Sequence, residues 1–279
     1  MPLAARAARS FLKACARNAG RTRLGRAFSD SMLEASFART ESVVHQGTQL
    51  RFTVPNRVSL ARALTFSTKE PETLAWIDTL APGSVLWDIG ANVGLYSCYA
   101  AKARQCRVLA FEPSVFNLEL LARNVFLNGL TERVTIVPLP LCEKTTQSEL
   151  NLTTTAWGGA LSSFGSLTAH DGTALERVFG FRTLGVAADE AVERLGLPAP
   201  DHLKLDVDGI EHLVLAGAAR TLARVSSVSI EINDSFAEQA QAAERLLRAA
   251  GLKLTGKAHS DLIAANPAFA HTFNQLWVR

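Results

Sequence analysis

With 279 residues, 48% of them hydrophobic, and no apolar run approaching the ~18–20 residues that span a bilayer, the chain reads as globular, one large domain or two small ones. Its net charge of +3 conceals an asymmetry: residues 1–29 hold seven Lys/Arg and no acid, so the remaining body carries 22 bases against 26 acids. A mildly acidic body argues against a nucleic-acid enzyme, whose phosphate-binding face must be densely basic. The four cysteines, Cys15, Cys98, Cys106 and Cys142, stand apart without C-x-x-C spacing. They read as reduced, buried thiols of a cytoplasmic protein, not as a disulfide frame or a zinc site.

In chain order, Arg6, Arg9, Lys13 and Arg17 follow helical spacing, with Leu3, Ala7, Phe11 and Ala14 on another side. Residues 1–41 form a basic arm with three open readings. It is a weak amphipathic helix in peripheral contact with anionic membrane through residues 1–29, an organelle presequence by its Arg/Ala/Ser-rich composition, or a solvated tail. No apolar stretch of the secretory kind follows its basic start. From Ser42 the texture changes, and "SVVHQGTQLRFTVP" predicts two short strands about a turn at Gln46-Gly47.

Beyond Leu74, apolar strand-like runs (Val85–Asp88, Val108–Glu112, Val134–Val137, His202–Asp206, Val228–Ile232) alternate with helical segments (Leu95–Ala103, Val115–Leu127, Ile210–Leu222, Ala237–Ala250). This alternation predicts an α/β domain over 42–279, a mostly parallel sheet with helices on both faces. Between Gln147 and Gly185 the pattern breaks into small and polar residues, an insertion with a hairpin and a loop at about 147–185.

The stretch "SVLWDIGANVGLYS" ends the first of these strands, where open parallel sheets bind ligands. Gly90 permits a tight turn, Asn92 tolerates a left-handed backbone, and Gly94 lets the next helix pack closely. A dinucleotide fingerprint would read G-x-G-x-x-G. Here the middle glycine is missing and Asp88 comes first, which repels a pyrophosphate and suits an ammonium and a sulfonium. The second strand ends in Glu112, placed to accept both ribose hydroxyls of a nucleoside. An adenosine-bearing, phosphate-free, cationic cofactor meets both demands, and S-adenosylmethionine is such a molecule.

"DIGANVGLYS", "AFEPSVFNLELLARNVFLNGL" and "LKLDVDGIEHLVLAGA" resemble the FkbM family of S-adenosylmethionine-dependent methyltransferases, from about Ser42 to the final "FNQLWVR". The resemblance implies a Rossmann-like class I methyltransferase fold, a seven-stranded sheet whose last strand is antiparallel. It also implies methyl transfer to a hydroxyl of a sugar, glycolipid or polyketide-like small metabolite. The family's third block reads K-x-D-x-E-G; here Asp208 stands at the Glu position, and Ala188-Asp189 replaces a usual Leu-Asp. After the third strand, Leu141, Cys142 and Glu143 either flank the adenine or end in an ordinary exposed Glu. In "KEPETLAW", Glu72 and Thr73 either cover the methionine end or simply start a helix.

In "HLKLDVDGIEH", Lys204, Asp206 and Asp208 share one strand face by period 2. An oxygen nucleophile must lose a proton, so Asp206, Asp208 and His212 are the candidate bases. Asp208, three residues before Glu211, reads equally as a helix cap. His212, one turn later, reads equally as a surface histidine. Glu231, Asn233 and Asp234 end the next strand beside Asp206 and Asp208 and could hold Mg²⁺; turn chemistry explains "IND" as well, so metal is not favoured. The other histidines show no ligand spacing. Two rivals remain, a catalytically idle methyltransferase-like binding protein tethered by its basic arm and a nicotinamide-dependent oxidoreductase.

Overall fold

The computed structural model describes residues 14–279 except 17 and 19, so the expected helical spacing of Arg6, Arg9, Lys13 and Arg17 lies outside the described residues. Helix α1 (Arg23–Ala38) opens with the Thr22 side chain accepting from the Gly25 N–H, and none of its residues is buried. Strands β1 (Thr40–His45) and β2 (Thr48–Thr53) then pair antiparallel. Gln46 and Gly47 both have positive φ, 43° and 79°, the backbone that a two-residue hairpin turn requires.

Three helices lead into the main sheet: α2 (Arg57–Leu64), α3 (Phe66–Lys69) and α4 (Pro71–Thr79). The first alternating units follow as β3 (Val85–Ile89), α5 (Leu95–Ala103), β4 (Arg107–Phe111), α6 (Val115–Leu127) and β5 (Val134–Val137). The insertion contributes β6 (Leu141–Cys142), β7 (Thr146–Leu152), β8 (Ser162–Phe164) and β9 (Phe179–Ala187), ordered β6-β9-β7-β8 in a small separate sheet. The chain returns through α7 (Ala188–Glu193) to β10 (His202–Leu205), α8 (Glu211–Ala216), α9 (Ala219–Leu222), β11 (Ser227–Asn233) and α10 (Ala237–Ala249). Last come β12 (Lys253–Ala258), α11 (Asp261–Ala264) and β13 (Thr272–Val278).

The seven-stranded sheet runs β12-β13-β11-β10-β3-β4-β5, and β13 alone opposes its neighbours. This is the Rossmann-like arrangement that the resemblance implied, a seven-stranded sheet whose last strand is antiparallel. Successive side chains of β3 feed opposite faces. Trp87 and Ile89 enter a core with Leu109, Phe111, Leu203 and Leu205, while Leu86 joins Val108, Leu74 and Tyr99 beneath α4 and α5. Helices on both faces explain why β3 and β4 read as unbroken apolar runs.

One expected element differs. The helix expected over Ile210–Leu222 is broken between α8 and α9, because Gly217 passes against the chain at β6. A Cβ there would lie 2.2 Å from the Cys142 carbonyl oxygen. No helix among the described residues is long and apolar enough to cross a membrane.

Candidate active site

A cavity of about 650 Å³ opens where β3, β4, β10 and β11 end. That volume falls within the ~300–1,000 Å³ range of small-molecule sites. Gly90, Asn92 and Glu112 line it at the ends of β3 and β4, Asp206 and Asp208 after β10, and Glu231 on β11, with Arg57, Arg62 and Lys69 completing the lining. Ile89, Phe111, Leu139, Pro140 and Leu141 add an apolar wall.

The turn after β3 is built as its sequence suggests. Gly90, Asn92 and Gly94 all have positive φ, at 84°, 52° and 80°. At Gly90 a Cβ would stand 1.8 Å from the Asp206 carbonyl oxygen, so the strand end stays bare where the cavity begins. Gly94 serves packing instead: its Cβ would meet Leu121 Cδ1 at 2.3 Å, and it does not line the cavity. The Glu112 carboxylate accepts from the Asn92 N–H (2.8 Å) and the Ser114 N–H (2.7 Å). Burial pushes its pKa up to about 8, against the pull of those N–H groups. The Asn117 side chain also favours its ionised form, and a lone pair is left for a further donor.

Asp88 lies elsewhere than expected. It is one residue short of the strand tip, so the pleat turns it to the α5 side, with Leu86. There Ser97 Oγ donates to it at 2.5 Å, and Lys204 Nζ, its in-register neighbour on β10, lies 3.9 Å away. Burial raises its pKa despite Lys204. Lys204 is likewise buried and out of the cavity, donating to Asp206 Oδ2 at 3.1 Å. Burial works against its charge, but Asp206, Asp88 and Glu70 hold its pKa above the ordinary lysine range.

Asp206 and Asp208 do reach the cavity, from the loop after β10 and not from the strand itself. Asp208, with φ of 59°, does not cap α8; its carboxylate accepts from Leu161 N (2.7 Å) and Ser162 N (3.2 Å) of the insertion. Burial and Asp206 raise its pKa. Glu211 makes the reverse contact, reaching back to Val207 N (2.9 Å) and Gly209 N (3.0 Å). Because residues 208–210 are not helical, His212 is not one turn beyond Asp208. It packs edge-on to Phe236, outside the cavity, with burial lowering its pKa.

Four further expected residues also miss the cavity lining. Cys142 packs with Leu150 and Phe164, while Glu143 is exposed beside Lys144. Glu72 accepts from Asn274, and Thr73 is buried with its hydroxyl 3.4 Å from Glu70. Of the carboxylate group weighed for Mg²⁺, only Asp206 and Glu231 come together, and Glu70 joins them. Oxygens of these three lie within 4.8 Å of one another. Asn233 instead accepts from Ser235 N, and Asp234 pairs with Lys257 at 2.5 Å.

Within this cluster the carboxylates differ. Although burial opposes its charge, Lys69 (2.7 Å) and Lys204 hold Glu70 well below the usual carboxylate range. Asp206 is tied to Lys204. Burial, reinforced by Asp206, pushes Glu231 well above that range, and Lys69 only partly offsets this. Sequence reasoning missed Glu70 and did not single out Glu231 for proton transfer. A Glu near the carboxyl end of an apolar strand was the available signal for the second; nothing local marked the first.

The wall over the cavity is the insertion's Trp157–Ser162, pinned from several elements. Asn56 donates to the Trp157 carbonyl, Arg62 to Gly158 O (2.7 Å), and Asn92 and Asn117 to Gly159 O.

A family model described as the methyltransferase FkbM domain matches residues 88–254. Hexuronic acid methyltransferase AglP of Haloferax volcanii is 28% identical over 188 residues, spanning 67% of this chain and 72% of that protein. Among solved structures, a putative transferase of Pyrococcus horikoshii aligns at 12% identity over 86% of this chain and 71% of its own, with a TM-score of 0.49. Aeropyrum pernix fibrillarin, solved with bound S-adenosyl-L-methionine, aligns at 14% identity over 87% and 84%, with a TM-score of 0.45.

Proposed function

This chain belongs to the FkbM methyltransferase family, and on that premise we propose that it transfers a methyl group from S-adenosylmethionine to a hydroxyl of a sugar acceptor. The observation that carries the reading is the single cavity lined by both Glu112 and Glu231. Its β3–β4 side fits an adenosine: a bare backbone at Gly90, an apolar wall from Phe111 and Leu141, and a carboxylate with a free lone pair at Glu112. When bound, S-adenosylmethionine supplies a methyl group activated on a sulfonium. Holding the acceptor oxygen close and in line provides much of the rate.

The chain's own residues then divide the work. Asp206, fixed by Lys204, and the Asp208-anchored loop shape the cavity after β10. Glu231 accepts the hydroxyl proton, since it is the cluster's carboxylate that burial has made most basic. Lys69 and Lys204 already supply positive charge beside the acids, so Mg²⁺ is not needed. Arg57, Arg62 and Lys69 in the cavity lining suit an acidic sugar, and the relative AglP is named for methylating a hexuronic acid.

The test incubates the full chain with labelled S-adenosylmethionine and hexuronic acid or neutral hexose acceptors, with and without chelator. An alkali-stable methyl ether on the acidic sugar, formed despite chelator, is expected. Glu231→Gln should lower kcat by ~10²–10⁴-fold with cofactor affinity unchanged. The parent's rate should climb with pH as Glu231 loses its proton. An alkali-labile methyl ester would move the nucleophile to a carboxylate, and Mg²⁺-reversible inhibition would restore the metal route. Cofactor binding without turnover on any acceptor would indicate an idle binding protein.

A further inference from the structure

Helix α1 is folded, yet none of its residues is buried, and its Leu24, Phe28, Met32 and Leu33 side chains are largely exposed. Leu24, Phe28 and Met32 recur every fourth residue along one stripe and are 85%, 64% and 52% exposed. The helix is held at its other end, where Phe37 meets the Trp157 ring edge-on at 4.9 Å and the Arg123 guanidinium covers it at 4.5 Å. Phe37 follows Phe28 by nine positions, two and a half turns, so the docked side and the stripe lie on opposite faces. Such a stripe has no reason to stay in water unless something covers it.

Charge indicates what does. Arg21 and Arg23 are exposed beside Leu24 at the helix start, Arg26 lies two positions on and about 200° round from it, and the first 29 residues hold seven bases and no acid. Asp30 and Glu34 each follow a stripe residue by two positions, about 200° round the helix, and so point away from the stripe. An apolar stripe with bases massed at one end and acids turned aside fits the headgroup region of an anionic bilayer, and the surplus of bases works against a basic partner.

We propose that α1 is a peripheral membrane anchor, lying in the surface of an anionic bilayer on Leu24, Phe28 and Met32. Its placement gives the anchor a consequence. Trp157, which receives Phe37, belongs to the loop over the cavity, and Asn56 joins its carbonyl to the start of α2, the helix that carries Arg57 and Arg62. The anchor therefore attaches beside the cavity's rim. This inference does not rest on the methyl-transfer reading.

The experiment is sedimentation of the full chain with vesicles of phosphatidylglycerol mixed with phosphatidylcholine, and with phosphatidylcholine alone, at low and high salt. Binding to the anionic vesicles should exceed binding to the neutral ones by about tenfold or more and weaken with salt. The combined variant Leu24→Ser, Phe28→Ser and Met32→Ser should lose about tenfold of that binding. Its unfolding midpoint should match the parent's, because no buried contact is removed. Equal sedimentation of parent and variant would overturn the proposal, as would a full chain that ignores anionic vesicles at low salt. If light scattering shows a parent dimer that the variant cannot form, and neither binds vesicles, the stripe is an interface between copies and not an anchor.

Discussion

Glu112 combines two properties that pull apart. Its carboxylate accepts two backbone N–H groups, which favour the ionised form, yet burial holds its pKa near 8, so at neutral pH it is mostly protonated. Ribose hydroxyls donating to it would favour the carboxylate and lower that pKa. Cofactor binding at about pH 7 is then expected to release most of one proton, and affinity should rise with pH until about 8 and level off above it. Calorimetry in two buffers of different ionisation enthalpy reads the proton count directly. An observed heat that does not depend on the buffer would separate Glu112 from the ribose. The same measurement on Glu112→Gln should show no release and an affinity lower by roughly 1–3 kcal/mol.

At the scale of elements, the β3–α5 turn separates two glycines that look alike in sequence. At Gly90 an added Cβ strikes a backbone oxygen at 1.8 Å, which cannot yield without moving the Asp206 loop. At Gly94 it strikes the end of the Leu121 side chain, which can rotate. Both also bear the cost of a positive φ. Gly90→Ala should therefore cost more than Gly94→Ala, on the order of 3–5 against 1–3 kcal/mol, in denaturant melts. Equal losses would mean that the Asp206 loop shifts freely. The turn was legible because its cues are local: positive-φ residues at fixed offsets after an apolar strand. Val134–Val137, Leu95–Ala103 and Val115–Leu127 were legible to the residue for the same reason. Side-chain direction was not. Asp88 was expected at the ligand, but a pleat one residue short of the tip turns it to Ser97. His212 was expected on a helical face that Asp208 and Gly209, both at positive φ, do not form. Nor could spacing find Asn56, Arg62 and Asn117, whose role depends on a loop some 40 to 100 residues away in sequence.

At the scale of the whole molecule, the acids buried near the carboxyl ends of the sheet strands should set how stability responds to pH. Burial raises the pKa of Glu112 to about 8 and of Glu211 to about 7, and it raises Asp88, Asp208 and Glu231 as well. Glu70 goes the other way, held low by Lys69. A carboxyl whose pKa is higher folded than unfolded binds more protons in the folded state, so stability falls as pH rises between the two values. For Glu112 and Glu211 that window runs from about 4.5, the unfolded value, to about 8 and 7. Glu70 contributes in the opposite sense only as pH falls below 4.5, outside the window. His202 and His212, lowered by burial, add stability as pH rises toward 6.5 and offset part of the slope there. Lys69 and Lys204, raised above the ordinary lysine value of 10.5, stay charged throughout it. The free protein should therefore lose stability, by a few kcal/mol, as pH climbs from about 5 to 8, where many proteins hold level. Denaturant midpoints across that range measure it, and a midpoint that rises would show that the folded acids are already ionised. Bound cofactor should flatten the slope, since its hydroxyls would hold Glu112 ionised in the folded state and remove that group's share of the proton difference.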